Sequence, residues 1–227
     1  MVERIPMSYV LVELDALFYN KITLQSGGEI IIDPTYEPEK HHQTSGIVKT
    51  VPDSLYFEKS DMEFSMEYKV PIELKEGDKV FFHYLQISSA ISNSHLLTID
   101  GKQHIFIRYD QCFCAVRDEE FVMLNGWMLL EPIDQEDKPQ PKYINTRLPK
   151  SRRKKDPLRG KILYLGDPVS EYLWGGEETD DGINVDAGEV VTFLPESDIP
   201  LEYNLHRTLS EVYYRVQRKD LINKIIN

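Results

Sequence analysis

The chain has 227 residues and a formal net charge of −12 at pH 7, with 41% hydrophobic and 28% charged residues. This composition is typical of a soluble globular protein of one or two domains. The negative charge argues against nucleic acid as the main ligand, because a duplex binder needs a cationic face. No apolar run approaches the roughly 18 residues of a membrane helix, and the start of the sequence lacks a targeting pattern. We therefore expect a cytoplasmic protein that binds neither nucleic acid nor a membrane.

Short segments rich in β-branched and aromatic residues predict strands, and they are bounded by Gly, Pro, Asn or Asp. In chain order they are YVLVEL (9–14), GIVKTV (46–51), KVFFHYL (79–85), HIFIRY (104–109), GWMLLEPI (126–133), GKILYLG (160–166), EVVTFL (189–194) and EVYYRV (211–216). Helical periodicity is weak, and RKDLINKII near the end fits a short helix or a strand equally. Cys112 and Cys114 take alternate positions of a predicted strand and are expected to be reduced core residues. The pattern predicts an all-β protein.

Four of these features occur twice, in the same order. SYVLVEL (8–14) resembles GWMLLEPI (126–133), SGIVKTVP (45–52) resembles RGKILYLGDP (159–168), KEGDKVFF (75–82) resembles DAGEVVTF (186–193), and FCAVRDEEFVML (113–124) resembles YYRVQRKDLINK (213–224). Internal similarity of this kind indicates a duplicated structural unit. We expect two homologous β units, residues 1–124 and residues 125–227.

The order of segments in the first unit resembles the small co-chaperonin, or GroES-like, family. The segments that carry this resemblance are YVLVEL, SGGEIII, TSGIVKTV, LKEGDKVFF and CFCAVRDEEFV. The resemblance covers nearly all of the first unit and, with gaps, the second, as in the double-domain members of the family. It implies two tandem GroES-like, partly open β-barrels in a homo-oligomeric ring that caps a large chaperonin and assists protein folding. ATP would be bound by the chaperonin and not by this chain.

The resemblance places a mobile loop at residues 25–46, which in the family docks into a hydrophobic groove of the chaperonin. The positions of its docking triplet and the preceding glycines are occupied by Gly27, Gly28, Ile30, Ile31 and Ile32. The polar, proline-containing run after them buries too little surface to offset its ordering entropy. An aliphatic patch on such a tether can add to a partner as a strand or hairpin. A buried strand that ends at Asp33 and Pro34 is the alternative for the three isoleucines.

The resemblance also implies that subunits join through the first strand of one and the closing strand of the next, here YVLVEL and EVYYRV. Two segments depart from the family. Residues 53–71 form an insert that predicts a projecting hairpin, and the second unit's loop, residues 134–160, lacks the triplet and carries the basic cluster at 150–155. Clustered like charges usually form a solvated face, which is our interpretation of this cluster.

Catalytic motifs are missing from the sequence. It contains no G-x-G-x-x-G after a strand, no G-x-x-x-x-G-K-[ST], no G-x-S-x-G and no H-E-x-x-H, so we expect neither an enzyme nor a cofactor. His41 and His42 lack a third ligand at metal-binding spacing, and we expect no metal site. The alternative function is that of a structural ring protein of a viral or bacterial particle, which reuses the barrel without binding a chaperonin.

Overall fold

A computed structural model describes residues 9–18, 21–33, 35, 42–53, 55, 72–92, 95–134, 155–167, 171–173, 177–179, 183–195, 199–201 and 213–225. The chain divides into two compact units, Met1–Asn125 with Val169–Thr179, and Gly126–Pro168 with Asp180–Asn227. Residues 56–71 of the expected inserted hairpin and 150–154 of the basic cluster lie outside the described residues. Within the described ranges, no helix has the length and apolar character needed to cross a membrane.

The first unit is built on a seven-stranded antiparallel sheet. From Tyr9 to Met123 the described strands, which include two outside this sheet, are β1 (Tyr9–Leu14), β2 (Lys21–Thr23), β3 (Glu29–Ile31), β4 (Ser45–Thr50), β5 (Lys79–Phe82), β6 (Leu96–Ile99), β7 (Lys102–Arg108), β8 (Cys112–Arg117) and β9 (Glu120–Met123). Helix α1 (Leu85–Ser92) follows β5, and a single 3-10 turn (Tyr109–Gln111) joins β7 to β8. The order in the sheet is β6-β7-β1-β4-β5-β8-β9, while β2 and β3 form a separate hairpin.

One face of this sheet forms the core of the first unit. Because side chains alternate across a strand, β1 sends every second residue to this core. The same holds for β5 and β7, and α1 adds Ile87 and Ala90 to the cluster. The fully or nearly fully buried members include Val10, Val12, Leu14, Val48, Val80, Phe82, Ile105, Ile107, Tyr109 and Cys112.

The second sheet has six antiparallel strands. After β9, the described strands are β10 (Trp127–Asp134), β11 (Lys155–Leu165), β12 (Glu171–Leu173), β13 (Glu177–Thr179), β14 (Val190–Phe193), β15 (Ile199–Leu201), β16 (Tyr213–Gln217) and β17 (Leu221–Ile225). The sheet order is β15-β16-β10-β11-β14-β17, and β12 and β13 pair with each other in a separate two-stranded sheet. A 3-10 turn (Arg218–Asp220) joins β16 to β17. The core of this unit contains Met128, Leu130, Ile162, Val191, Phe193 and Val216.

The all-β prediction is confirmed, and each predicted segment contains a strand. Neither sheet closes into a barrel within the described residues, because the outer strands of each sheet do not pair with each other. The segment KVFFHYL differs from its prediction. Its strand ends at Phe82, and the chain then turns into α1, which the sequence did not predict.

The two sheets repeat the same strand register. In the first, Val12 lies opposite Val48, and one register shift precedes this pair. In the second, Leu130 lies opposite Ile162 after the same shift. Beside these pairs, the amide of Gly77 donates to the carbonyl of Val48 at 2.8 Å and the amide of Gly188 donates to that of Ile162 at 2.8 Å. The duplication is therefore present in the backbone pairing as well as in the sequence.

One of the four sequence correspondences is wrong. The match between FCAVRDEEFVML and YYRVQRKDLINK equates β8 and β9 with β16 and β17. In the structure, β7, its 3-10 turn and β8 occupy the sheet positions of β16, its 3-10 turn and β17. Strand β9 has no counterpart among the described residues of the second unit.

The expected subunit-joining strands are not sheet edges. YVLVEL forms β1, which pairs with β4 on one side and with β7 on the other. EVYYRV contributes β16, which pairs with β10 and with β15. The expectation that these two strands pair between subunits is therefore wrong, because strands of the same unit already flank them.

Candidate functional site

The segment between β1 and β4 carries the hairpin β2–β3, which contains the residues expected to bind the partner. Lys21 pairs with Ile31, Ile22 with Ile30, and Thr23 with Glu29. At the tip, the Leu24 amide donates to the Gly28 carbonyl at 2.7 Å, and the Gly27 amide donates to the Leu24 carbonyl at 2.9 Å. Gly27 has φ +83°, a left-handed conformation that favours glycine. The two glycines therefore shape the turn.

The three isoleucines differ in how much of each side chain is exposed. Ile30 is 47% exposed and Ile31 is 71% exposed, whereas Ile32 is partly buried. Neighbouring strand residues point to opposite faces, so each face of the hairpin carries one exposed isoleucine. Leu24 at the tip is a further exposed apolar residue, which the sequence analysis did not single out. The alternative of a buried strand does not describe Ile30 or Ile31.

An ion pair and a side-chain turn flank these isoleucines. Lys21 Nζ lies 3.2 Å from Glu29 Oε2, and both side chains are largely exposed, so the pair adds little to stability. After β3, Asp33 Oδ1 accepts hydrogen bonds from the Thr35 amide at 2.9 Å and from the Thr35 hydroxyl at 2.7 Å. These bonds favour the carboxylate and lower the pKa of Asp33. The strand thus ends in a local turn of the kind that aspartate forms with its own backbone.

A packed neck holds the base of the hairpin segment, and we define it by Leu17, Phe18, His42 and Gln43. Phe18 and His42 form an isolated antiparallel bridge, with ring centroids 5.2 Å apart. The Gln43 amide donates to the Leu17 carbonyl at 3.0 Å. His42 and Gln43 are buried, with exposed fractions of 7% and 2%. The two ends of the segment are therefore joined before the chain enters β4.

Helix α1 and the residue before it support the neck. His42 Nδ1 lies 3.3 Å from the Tyr84 carbonyl oxygen and 3.4 Å from Ser88 Oγ. His42 is therefore a buried packing residue of the neck, while His41 lies outside the described residues. No periodic signal connects Phe18 with His42. Only the fold brings these residues together, so sequence reasoning could not have found the neck.

The neck continues into a close contact between β4 and β1. Gln43 Nε2 donates to the Ser45 carbonyl at 2.6 Å, and the Phe82 amide donates to the Thr44 carbonyl at 3.0 Å. A methyl group on Gly46 would lie 2.5 Å from the Glu13 carbonyl oxygen, which leaves room for glycine alone. The hairpin segment therefore joins the sheet at a closely packed point.

The described residues offer little for covalent or metal chemistry. They contain no group of three or more His, Cys, Asp or Glu side chains that could hold a metal ion. Cys112 and Cys114 are free and buried, so the prediction that they are core residues is confirmed. Burial raises the pKa of the Cys112 thiol, which keeps it protonated and poorly nucleophilic. The geometry on the hairpin is suited to binding through apolar contacts and strand edges.

Comparison with known proteins does not assign a family. No model of a known protein family matches the chain, and no curated protein sequence matches it significantly.

Proposed function

We propose that this protein is a co-chaperonin-like ring subunit that caps a large chaperonin and assists protein folding. One observation carries the proposal. The hairpin β2–β3 presents Ile30 and Ile31 with 47% and 71% of their surfaces exposed, on a segment whose base is held by the neck. Residues Gly27, Gly28 and Ile30 to Ile32 belong to the docking element, with Ile31 at its centre.

Docking uses apolar burial together with a strand edge. Within the described residues β3 pairs only with β2, so its outer edge can accept a strand of the partner. Each isoleucine that becomes buried contributes about 1.5 to 3 kcal/mol. Ordering the segment offsets part of this gain, so a single copy binds weakly. Several copies in a ring then bind together, because each docked hairpin raises the effective concentration of the others.

The duplicated fold supports the tandem GroES-like part of the proposal. Both units place their first strand in the interior of an antiparallel sheet and keep one register across three neighbouring strands. We assign each to a partly open GroES-like barrel. In this proposal the chain binds no ATP, the chaperonin binds and hydrolyses it, and both proteins work in a cytoplasm.

Capture of a purified chaperonin ring in the presence of a non-hydrolysable ATP analogue tests the proposal. Immobilised wild-type protein is compared with Ile31→Asp and with Ile91→Asp as the matched control. Ile91 is also an exposed isoleucine of the first unit, 46% exposed, but it lies on α1. Burying Asp in place of Ile forfeits the apolar contribution and adds a desolvation cost, so we expect at least a tenfold loss of capture by Ile31→Asp. The Ile91→Asp variant should capture like wild type.

The possible results test different parts of the proposal. Equal capture by wild type and Ile31→Asp would remove Ile31 from the docking element. A wild-type protein that forms rings and captures no chaperonin would contradict the proposal and favour the particle-building alternative. In that case the same hairpin is expected to be protected from hydrogen exchange within the particle.

A further inference from the structure

The sequence contains one Asn-Gly pair, Asn125–Gly126, which lies in the turn between β9 and β10. Asn125 ends the main segment of the first unit, and Gly126 begins the second unit. Asparagine is thermolabile, because the backbone nitrogen of the next residue can attack its side-chain amide carbon. A glycine at that next position leaves the attack unhindered, since it has no side chain and a permissive backbone. Asn125 is therefore the most reactive asparagine of the unfolded chain.

The folded first unit holds the side chain of Asn125 in place. Its Nδ2 donates to the carbonyls of Tyr109 and Cys112 at 2.9 Å each, both in the turn that joins β7 to β8. Its backbone amide donates to Glu73 Oε2 at 3.0 Å. Only 4% of the residue is exposed. Burial and hydrogen bonds therefore restrict both the side chain and the backbone of Asn125.

The backbone conformation of the pair keeps the reacting atoms apart. Asn125 has φ +52° and Gly126 has φ +66°. For a residue other than glycine, such a φ belongs to the left-handed α region, where ψ is about +30 to +60°. At that ψ the Asn125 Cβ and the Gly126 nitrogen lie on opposite sides of the Cα–C bond, so the ring formed in the reaction cannot close. The Gly126 carbonyl also accepts a hydrogen bond from the Arg218 amide at 3.0 Å, which opposes rotation of the peptide.

We propose that Asn125–Gly126 is a self-modification site, which the folded first unit protects and which reacts when Asn125 leaves the β7–β8 turn. In the reaction, the Gly126 nitrogen gives its proton to solvent and attacks Asn125 Cγ. A bond forms between these two atoms, the Cγ–Nδ2 bond breaks, and ammonia leaves with a proton taken from solvent. Water then opens the cyclic imide at either of its carbonyls, which gives aspartate or isoaspartate at position 125.

The product cannot restore the native contacts. A carboxylate only accepts hydrogen bonds, so aspartate would set its oxygens against the Tyr109 and Cys112 carbonyl oxygens that now accept from Nδ2. The Glu73 carboxylate, which binds the backbone amide of the same residue, would add a like charge. Isoaspartate instead lengthens the main chain between β9 and β10 by one methylene. The modification is therefore a one-way record of opening, and it is independent of whether the hairpin β2–β3 binds a partner.

Mass spectrometry of the full-length chain measures the reaction. Wild-type protein is kept at mildly alkaline pH, either in buffer or in urea that unfolds it, and the peptide with residues 125 and 126 is quantified in its amide, aspartate and isoaspartate forms. If opening precedes the reaction, the native-state rate is the unfolded-state rate multiplied by the open fraction, so we expect it to be at least tenfold lower. Equal rates in buffer and in urea would overturn the protection, and an unreactive pair in urea would overturn the site.

Glu73→Ala changes the protection and leaves the Asn-Gly pair intact. It removes the acceptor of the Asn125 backbone amide, so we expect the open fraction and the native-state reaction rate to rise at least about fivefold. The matched control is Glu120→Ala, which removes an exposed carboxylate of β9 and should react at the wild-type rate. In urea all three proteins should react equally fast. A native-state rate in Glu73→Ala that equals the wild-type rate would contradict the proposal.

Urea unfolding at neutral pH tests the one-way step with Asn125→Asp and Asn125→Gly. Both variants lose the side-chain hydrogen bonds, and glycine accepts φ +52° without strain, so the difference between them reports the buried carboxylate. We expect Asn125→Asp to unfold at a lower urea concentration than Asn125→Gly. Wild-type protein that has reacted in urea and been refolded should contain a fraction that unfolds in the same lower range. Equal midpoints for the two variants would overturn the one-way step.

Discussion

Replacing Gly46 by alanine should destabilise the first unit strongly. The new methyl group would lie 2.5 Å from the Glu13 carbonyl oxygen, 2.5 Å from Val12 Cγ1 and 2.9 Å from Leu14 Cδ2. Ordinary carbon contacts are about 3.5 to 4.0 Å, so two neighbours must move by about 1 Å. One of them is backbone of β1, which cannot rotate away. Overpacking of this kind costs typically 1 to 3 kcal/mol and occasionally more, and we expect about 3 kcal/mol for Gly46→Ala.

Gly160→Ala is the matched variant in the second unit. Gly160 has the same sheet position, opposite Val191 as Gly46 is opposite Val80. Its added methyl would lie 2.8 Å from Leu130 Cβ and 3.4 Å from the Glu131 carbonyl oxygen, a looser fit. We expect a smaller loss, about 1 to 2 kcal/mol.

Urea unfolding of wild type and the two variants measures both values. The two units can unfold in separate transitions, so each is followed by the tryptophan and tyrosine signals and by circular dichroism. The reasoning would be refuted if Gly46→Ala changed the unfolding free energy by less than about 0.5 kcal/mol, the range of an ordinary surface substitution. A larger loss in Gly160→Ala than in Gly46→Ala would refute the comparison of contacts.

Three further predictions concern single contacts. Asn125→Ala should lower the unfolding free energy of the first unit by about 2 to 4 kcal/mol in urea, because its buried side-chain amide donates to two carbonyls of the β7–β8 turn at 2.9 Å each. Gly27→Val forces a β-branched residue to φ +83° and should speed hydrogen exchange of the Leu24 amide about tenfold, which NMR can measure. The pKa of Glu13 is lowered mainly by its 2.6 Å hydrogen bond from Lys102, so its stabilising effect is present above the usual glutamate pKa of about 4.3 and lost as the pH falls through the lower folded pKa. Urea midpoints on acidification should therefore fall less in Glu13→Gln than in wild type, and parallel curves would contradict this.

The strands were predictable because short runs of β-branched and aromatic residues with turn residues at their ends are typical of strands. The helix α1 was not predictable in this way. LQISSAIS contains two β-branched residues and three serines, which are weak helix formers, so local propensity gives no signal. Tertiary packing stabilises the helical conformation of this segment, because Ile87 and Ala90 lie one helical turn apart and both pack into the core.

The correspondence between FCAVRDEEFVML and YYRVQRKDLINK failed for a different reason. RDEE and QRKD are both charged runs that follow a strand, and their composition suggested a match. The structural counterpart of Arg218–Asp220 is instead the turn Tyr109–Gln111, which has little sequence in common with it. What the two turns share is a single 3-10 turn between extended residues, and that is a property of backbone conformation.

The candidate site was singled out by its resemblance to the docking loop of the co-chaperonins, and its binding role stays a prediction. The exposure of its isoleucines could not be predicted from the sequence, because exposure depends on what the rest of the chain covers. Leu24 was missed because a single leucine in a polar turn carries no signal by itself. The neck was missed because its two sides are far apart in sequence, and a buried histidine looks the same in sequence as an exposed one.

The neck makes the hairpin segment exchangeable. Phe18 and His42 meet before β4 begins, so the length and composition of the chain between them can change while the β1–β4 ladder keeps its register. The entropic cost of closing a loop rises only slowly with loop length, so insertions between Phe18 and His42 should lower the free energy of unfolding only slightly. Selection can therefore alter the exposed residues of the hairpin, Ile30 and Ile31 among them, without re-optimising the core, and a hairpin transplanted between two such necks should keep its own backbone pairing.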